Sequence, residues 1–321
     1  TERYVPRVPH RRHPRHQKKR VGLVLGAGGP VGHAYHAGVL SALHTALDWD
    51  AREAEVVVGT SAGAQVGALL RAGLDGADLA ARARGEPLSP AGHEIAKHYV
   101  RPYPAEPAPA ERRGPASLRF LVEAMKRPGV LRPGRLVSAL LPEGNVELEP
   151  QARGFRNIFG DFWPERPLWI TAVHLDDGSR VAFGKEGAPP IDVGTAVTCS
   201  GAVPGVARPV RWGGRRYVDG GMASATHLDL LHDAPVDVVV VSSPLSMFTP
   251  MRGLLWSEIR MLERRGIPVV AFEPRGAARE VMGYNPMDTA AAPVVVRAAF
   301  ETTLRELEKG DDKTRALGKL T

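Results

Sequence analysis

The stretch EVVVGTSAGAQVGALLRAG, residues 55–73, decides the fold. Glu55 to Val58 reads as a strand whose Val56-Val57-Val58 are apolar without alternation, the pattern of a strand covered on both faces. Gly59-Thr60-Ser61 breaks the run, and Ala62 to Arg71 then continues in small and apolar residues until Gly73 stops it, which is a helix with its usual terminator. A strand, a tight turn and a helix in direct succession make one βα unit. Inside it, Gly59-Thr60-Ser61-Ala62-Gly63 is a G-x-S-x-G whose small residues let the chain turn sharply enough to hold the Ser61 hydroxyl out of the sheet. The plainer reading is a tight turn with a capping serine.

The segment just upstream has the same design. Val21 to Leu25 is an apolar run ended by Gly26-Ala27-Gly28-Gly29, and Gly32 to Leu47 carries Tyr35, Val39, Leu40, Leu43 and Leu47 on one helical face. A dinucleotide loop is excluded, because G-x-G-x-x-G counted from Gly26 requires glycine where Val31 stands. A phosphate P-loop is excluded by the lack of Gly-Lys-Ser/Thr. Downstream, residues 76–165 hold 12 of the 28 prolines and break the rhythm, which predicts an insertion or lid with a basic Pro-rich part around Pro102 to Pro115. The rhythm returns with strands at Leu168–His174, Arg180–Phe183, Val236–Ser242 and Val269–Phe272, a helical stretch at Val193–Cys199 and a last helix from Pro293 to Lys309. Strands alternating with helices argue an α/β fold around a mostly parallel sheet.

Charge adds a second feature. The chain of 321 residues has 42 Lys and Arg against 35 Asp and Glu, but residues 1–20 alone contain eight bases and one acid, which leaves 34 of each in the remainder. The body is neutral and the excess lies in a Pro/His/Arg segment read as a flexible tail, 1–20, ahead of a catalytic domain at 21–321. No specific nucleic-acid partner is expected from a neutral body, whereas the tail can attract an anionic membrane peripherally. A single cysteine, Cys199, allows no internal disulfide, no run reaches the roughly 18 apolar residues that span a bilayer, and no apolar core follows the N-terminal charges. The expected location is the cytoplasm. Oligomeric state is not readable.

A serine nucleophile needs a base and donors for the oxyanion. Gly28 and Gly29 end the first strand where a neighbouring parallel strand brings them beside Ser61. Two Asp-Gly triplets offer a base. Asp75-Gly76-Ala77 follows the far end of the helix that Ser61 begins, roughly 15–20 Å away at about 1.5 Å per residue. Asp219-Gly220-Gly221 follows the strand-like Arg215 to Val218 and can turn toward Ser61. A histidine triad with His227 or His232 places the histidine very close in sequence to the aspartate. His33 and His36, three apart on one helix, read as packing histidines rather than a metal site, and Cys199 as a small buried hydrophobe. No metal or organic cofactor is expected.

Taken together these residues resemble the patatin-like phospholipases, whose pattern is G-G-G-x-R/K-G, then G-x-S-x-G, then D-G-G/A. Here it reads Ala27-Gly28-Gly29-Pro30-Val31-Gly32, Gly59 to Gly63 and Asp219 to Gly221, with further matches at Gly38-Val39-Leu40 and from Ala196 to Val210. The resemblance implies a three-layer α/β/α sandwich with a mostly parallel central sheet. It also implies a serine acyl hydrolase on lipid-like esters, with a dyad of Ser61 and Asp219 and an oxyanion hole at Gly28 and Gly29. An acyltransferase or thioesterase with the same dyad, or a silent lipid-binding relative, are the alternatives. Ala27 and Val31 depart from the pattern, and Val31 removes a cation from the glycine turn.

Overall fold

The computed structural model describes residues 19–99, 116–117, 140–310 and 312–318. Its eight strands are β1 (Val21–Leu25), β2 (Val56–Thr60), β3 (Leu168–His174), β4 (Arg180–Phe183), β5 (Val210–Trp212), β6 (Arg215–Asp219), β7 (Val238–Ser242) and β8 (Val269–Phe272). They form one sheet in the order β5-β6-β3-β2-β1-β7-β8, with β4 also paired to β3. β1, β2, β3, β7 and β8 are mutually parallel, while β4 and β6 run antiparallel to β3.

Period-two packing divides the strand side chains between two apolar layers. Leu23, Leu25, Val57, Ile170, Val238 and Val240 point to one face, where they meet α1 (Gly29–Leu47), α2 (Ala62–Ala72) and α3 (Gly76–Arg84). Val24, Val56, Val58, Val239 and Val241 point to the other, against Leu228 and Leu231 of a 3₁₀ segment and Leu255, Ile259 and Leu262 of a later helix, Thr249–Glu263. At about 1.5–3 kcal/mol for each fully buried Val or Leu, these layers are the main source of stability. The fold is a three-layer α/β/α sandwich. The buried strands have no polar face because both sides of the sheet are covered, which is why they read as continuous apolar runs.

The segment 76–165 is only partly described. Its ends are built into the first helical layer: α3 buries Leu79 and Ala80, α4 (Pro90–Ala96) follows it, and α5 (Glu149–Phe159) packs Ala152 and Phe155 against α6 (Val193–Gly201). The Pro102–Pro115 part of the expected lid lies outside the described residues, as do residues 1–18 of the expected tail. Lys19 and Arg20, read as the end of that tail, are held to the body: Lys19 Nζ donates to the Ala316 carbonyl at 2.7 Å and Arg20 pairs with Asp237 at 2.9 Å. Two long helices, α7 (Thr249–Glu263) and α9 (Ala292–Glu308), and the short α8 (Gly276–Met282) between them follow. Among the described residues no helix is long and apolar enough to cross a membrane.

Candidate active site

Register brings the three motifs together. Leu25 pairs with Gly59, Thr60 with Thr171, and Ala172 with Asp219, so the ends of β1, β2 and β6 lie at neighbouring levels of the sheet around β3. Ser61 continues β2 one residue beyond Thr60 and caps α2. Its backbone has φ 55° and ψ −115°, an uncommon conformation for a residue with a side chain, costing about 1–3 kcal/mol that the surrounding packing must offset.

The flanking glycines are steric requirements. A Cβ on Gly63 would lie 1.9 Å from the Leu25 carbonyl oxygen, and one on Gly59 2.6 Å from the Ala64 Cα. Gly63→Ala is therefore expected to cost more than about 3 kcal/mol, because backbone rather than a mobile side chain must move. Gly253→Ala, at an exposed helical position with nothing near its Cβ, is the control and should stabilise by about 0.5–1 kcal/mol. Thermal melts followed by circular dichroism compare the two; equal melting temperatures would contradict the steric account.

Asp219 is buried, and its Oδ1 accepts the Gly221 N–H at 2.7 Å while the Ser61 hydroxyl hydrogen-bonds the carboxylate. Burial pushes its pKa up to about 6, against the opposing pull of those two hydrogen bonds. Gly220 packs on Thr171, whose hydroxyl meets that of Thr60 at 2.8 Å, so β3 carries the aspartate turn and the serine turn on one support. Asp75 instead caps α3 by accepting the Asp78 N–H, away from Ser61.

The glycine turn holds its amides in a defined pattern. Gly26 N–H donates to the Ser242 carbonyl, Ala27 N–H to that of Ala225, Val31 N–H to that of Pro286 and Gly32 N–H to that of Gly28. Pro30 has none to give. Among the described residues the N–H groups of Gly28 and Gly29 meet no acceptor. Helix α1 starts at Gly29, three residues before the Gly32 expected, because Gly29 adopts φ 59° and lets the chain enter the helix directly from the strand. The two unused amides therefore stand at a helix N-terminus, where the dipole favours negative charge. Val31 is buried in the core, so no cation replaces it at that position.

A cavity of about 90 Å³ opens beside Ser61, walled by Gly29, Pro30, Ala34, Ala62, Val203 and Ala292 among others. Sequence reasoning missed four polar residues around Ser61 and this cavity. Gln65 lies one turn after Ser61 on α2, a spacing that was readable. Tyr99, whose hydroxyl donates to Gln65 Oε1 at 2.6 Å, Arg82, and Ser200, whose hydroxyl accepts the Ser61 N–H at 2.8 Å, carry no such signal.

The histidines divide by location. His36 is fully buried and pushed down to about 4 by burial; its Nε2 donates to the Gly26 carbonyl, so Nδ1 accepts from the Ser242 hydroxyl at 2.7 Å. Both nitrogens are taken, and the ring ties the glycine turn to β7. His33 lies in the cavity wall. His227 donates from Nε2 to the Gly220 carbonyl at 2.9 Å and meets Arg180 through Nδ1, while His232 sits at the surface beside Asp233. Cys199 is buried, and burial pushes its thiol up. Among the described residues no group of three or more His, Cys, Asp and Glu is placed to hold a metal ion.

Two solved structures are similar over most of this chain. VipD from Legionella pneumophila shares 14% identity at a TM-score of 0.41, covering 91% of this chain and 67% of that one. The type III effector protein ExoU shares 18% identity at a TM-score of 0.40, covering 91% of this chain, which spans 53% of ExoU. The model of the patatin-like phospholipase family matches residues 23–232, from the middle of β1 through all three motifs, and the chain belongs to that family.

Proposed function

We propose that the protein is a serine acyl hydrolase that cleaves lipid-like carboxylic esters, with Ser61 as nucleophile and Asp219 as general base. One observation carries the reading: a serine on a strained turn hydrogen-bonds a buried carboxylate whose pKa is raised to about 6, beside two unused amides. An aspartate at its ordinary pKa is a weak base for a hydroxyl, and burial corrects part of that mismatch.

Ser61 Oγ attacks the ester carbonyl as its proton passes to Asp219. The carbonyl oxygen takes the negative charge and is held by the Gly28 and Gly29 N–H groups at the N-terminus of α1. Collapse breaks the bond to the alcohol, which leaves with the proton from Asp219. Water then attacks the acyl-enzyme, Asp219 takes its proton, and the returning proton frees Ser61 with release of the acid. The cavity beside Ser61, with both apolar and polar walls, receives the acyl chain or the alcohol. Of the eight bases in residues 1–20, Lys19 and Arg20 are tied to the body and the six before them add attraction to an anionic membrane surface, up to about 1 kcal/mol for each base near it at low salt.

A fluorophosphonate probe tests the assignment. Modification mapped by mass spectrometry to Ser61, absent in Ser61→Ala, is the expected result, and an unlabelled folded protein would remove the hydrolase reading. Since His232 stands at the surface, His232→Ala is expected to keep turnover within about twofold of wild type. A collapse comparable to that of Ser61→Ala would instead favour a histidine triad, in which each member is worth several orders of magnitude.

A further inference from the structure

Arg82 reaches the cavity from α3, a helix separate from the three motifs, and there shares a wall with Ser61. It is half-buried. Its guanidinium lies over the Tyr99 ring at 4.0 Å, and that ring is fixed on two sides: its hydroxyl donates to Gln65 Oε1, and Phe155 meets it edge-on at 5.9 Å. The other arginines of α2 and α3 are occupied. Arg84 pairs with Glu86, and Arg71 donates to the carbonyls of Arg52, Ala54 and Pro167. Among the described residues Arg82 forms no ion pair, and none of the described residues lining the cavity is a carboxylate.

An arginine laid flat on an aromatic ring keeps its full charge and leaves its in-plane N–H donors pointing sideways. Those donors form a fork that matches the two oxygens of a carboxylate or a phosphate. Arg82 is the one charged side chain among the described residues lining the cavity apart from any charge on His33, and its half-buried guanidinium is screened less than it would be in water, so an anion gains more there than in solution. We infer that Arg82 determines specificity by receiving an anionic group, phosphate or carboxylate, carried by the ester substrate beyond its scissile carbonyl. This rests on the hydrolase reading and narrows it from esters in general to anionic esters.

Three butyryl esters of equal chain length separate the alternatives: those of glycerol, glycerol phosphate and glyceric acid. The wild type is expected to show a higher kcat/KM on at least one anionic ester than on the neutral one, and whichever anion is preferred names the group that Arg82 takes. In Arg82→Gln the anionic to neutral ratio should fall at least about tenfold, while Arg82→Lys, which keeps the charge but loses the fork, should lose part of the ratio and less than Arg82→Gln does. An unchanged ratio in Arg82→Gln overturns the inference, and so does an equal loss on all three esters, which would mark Arg82 as packing for Tyr99. A second arm does not depend on turnover. In a Ser61→Ala background, calorimetric affinity for the preferred anionic ester should weaken at least about tenfold on adding Arg82→Gln, and equal affinities would overturn the inference there too. If no ester is turned over and the fluorophosphonate leaves Ser61 unlabelled, the hydrolase reading fails by itself, and calorimetry with the glycerol phosphate ester still decides the role of Arg82.

Discussion

Ser61→Ala and Asp219→Asn should each lower kcat on a short-chain ester by at least about 10³-fold while leaving the circular dichroism spectrum unchanged. The reason is that the two side chains act as one unit. Without the hydroxyl there is no nucleophile, and without the carboxylate the hydroxyl must lose its proton to water. The double variant is therefore expected to be hardly slower than either single one, because what remains comes from the amides of Gly28 and Gly29 and from binding. Near-normal turnover in either folded single variant would sink the dyad.

Asp219→Asn should also be more stable than the wild type at neutral pH. The folded-state pKa of Asp219 is raised from 3.8 to about 6, so between those values the folded protein holds a proton that the unfolded chain has released. Stability from this group is complete below about pH 4 and is lost as pH rises to about 6, at up to about 1.4 kcal/mol for each pH step of one between the two values, or about 3 kcal/mol in all. Asparagine carries no such penalty and still accepts the Gly221 N–H. Melting temperatures should then favour Asp219→Asn at pH 7 and converge with wild type near pH 4. Activity runs the other way: kcat/KM rises with pH through about 6 and levels off above it, since only the ionised carboxylate accepts a proton. A melting temperature lower at pH 7 than wild type, or an activity profile flat from pH 5 to 8, would contradict the buried-base account.

Much of this arrangement was legible in the residues. The valine and leucine runs of β1, β2, β7 and β8 announce strands covered on both sides, and the glycines around Ser61 announce a turn that tolerates no side chain at position 63. Helix length alone sets Asp75 aside as a partner for Ser61, and Asp75 caps α3. What was not legible depends on contacts between distant segments. Arg82, Tyr99 and Ser200 meet the site through the packing of α3, α5 and α6, and no periodicity in their own segments points there. The early start of α1 turns on one left-handed glycine, which a helical pattern counted from its apolar residues cannot register. The support under the glycine turn is similarly remote, since Pro286 lies more than 250 residues from the Val31 amide that it accepts.

The antiparallel docking of β6 against β3 has a consequence for how the protein comes into being. Ser61 and its α2 helix form from neighbouring residues, but Asp219 arrives only when a strand more than 150 positions later pairs with Ala172. Closing so long a loop is slow and entropically costly, and during synthesis it must wait until that strand has left the ribosome. The nascent chain thus displays a serine with no proton acceptor. On the proposed dyad, reactivity would be acquired only once that strand has docked, together with the burial that raises the aspartate's pKa, so a copy short of that stage would not hydrolyse esters.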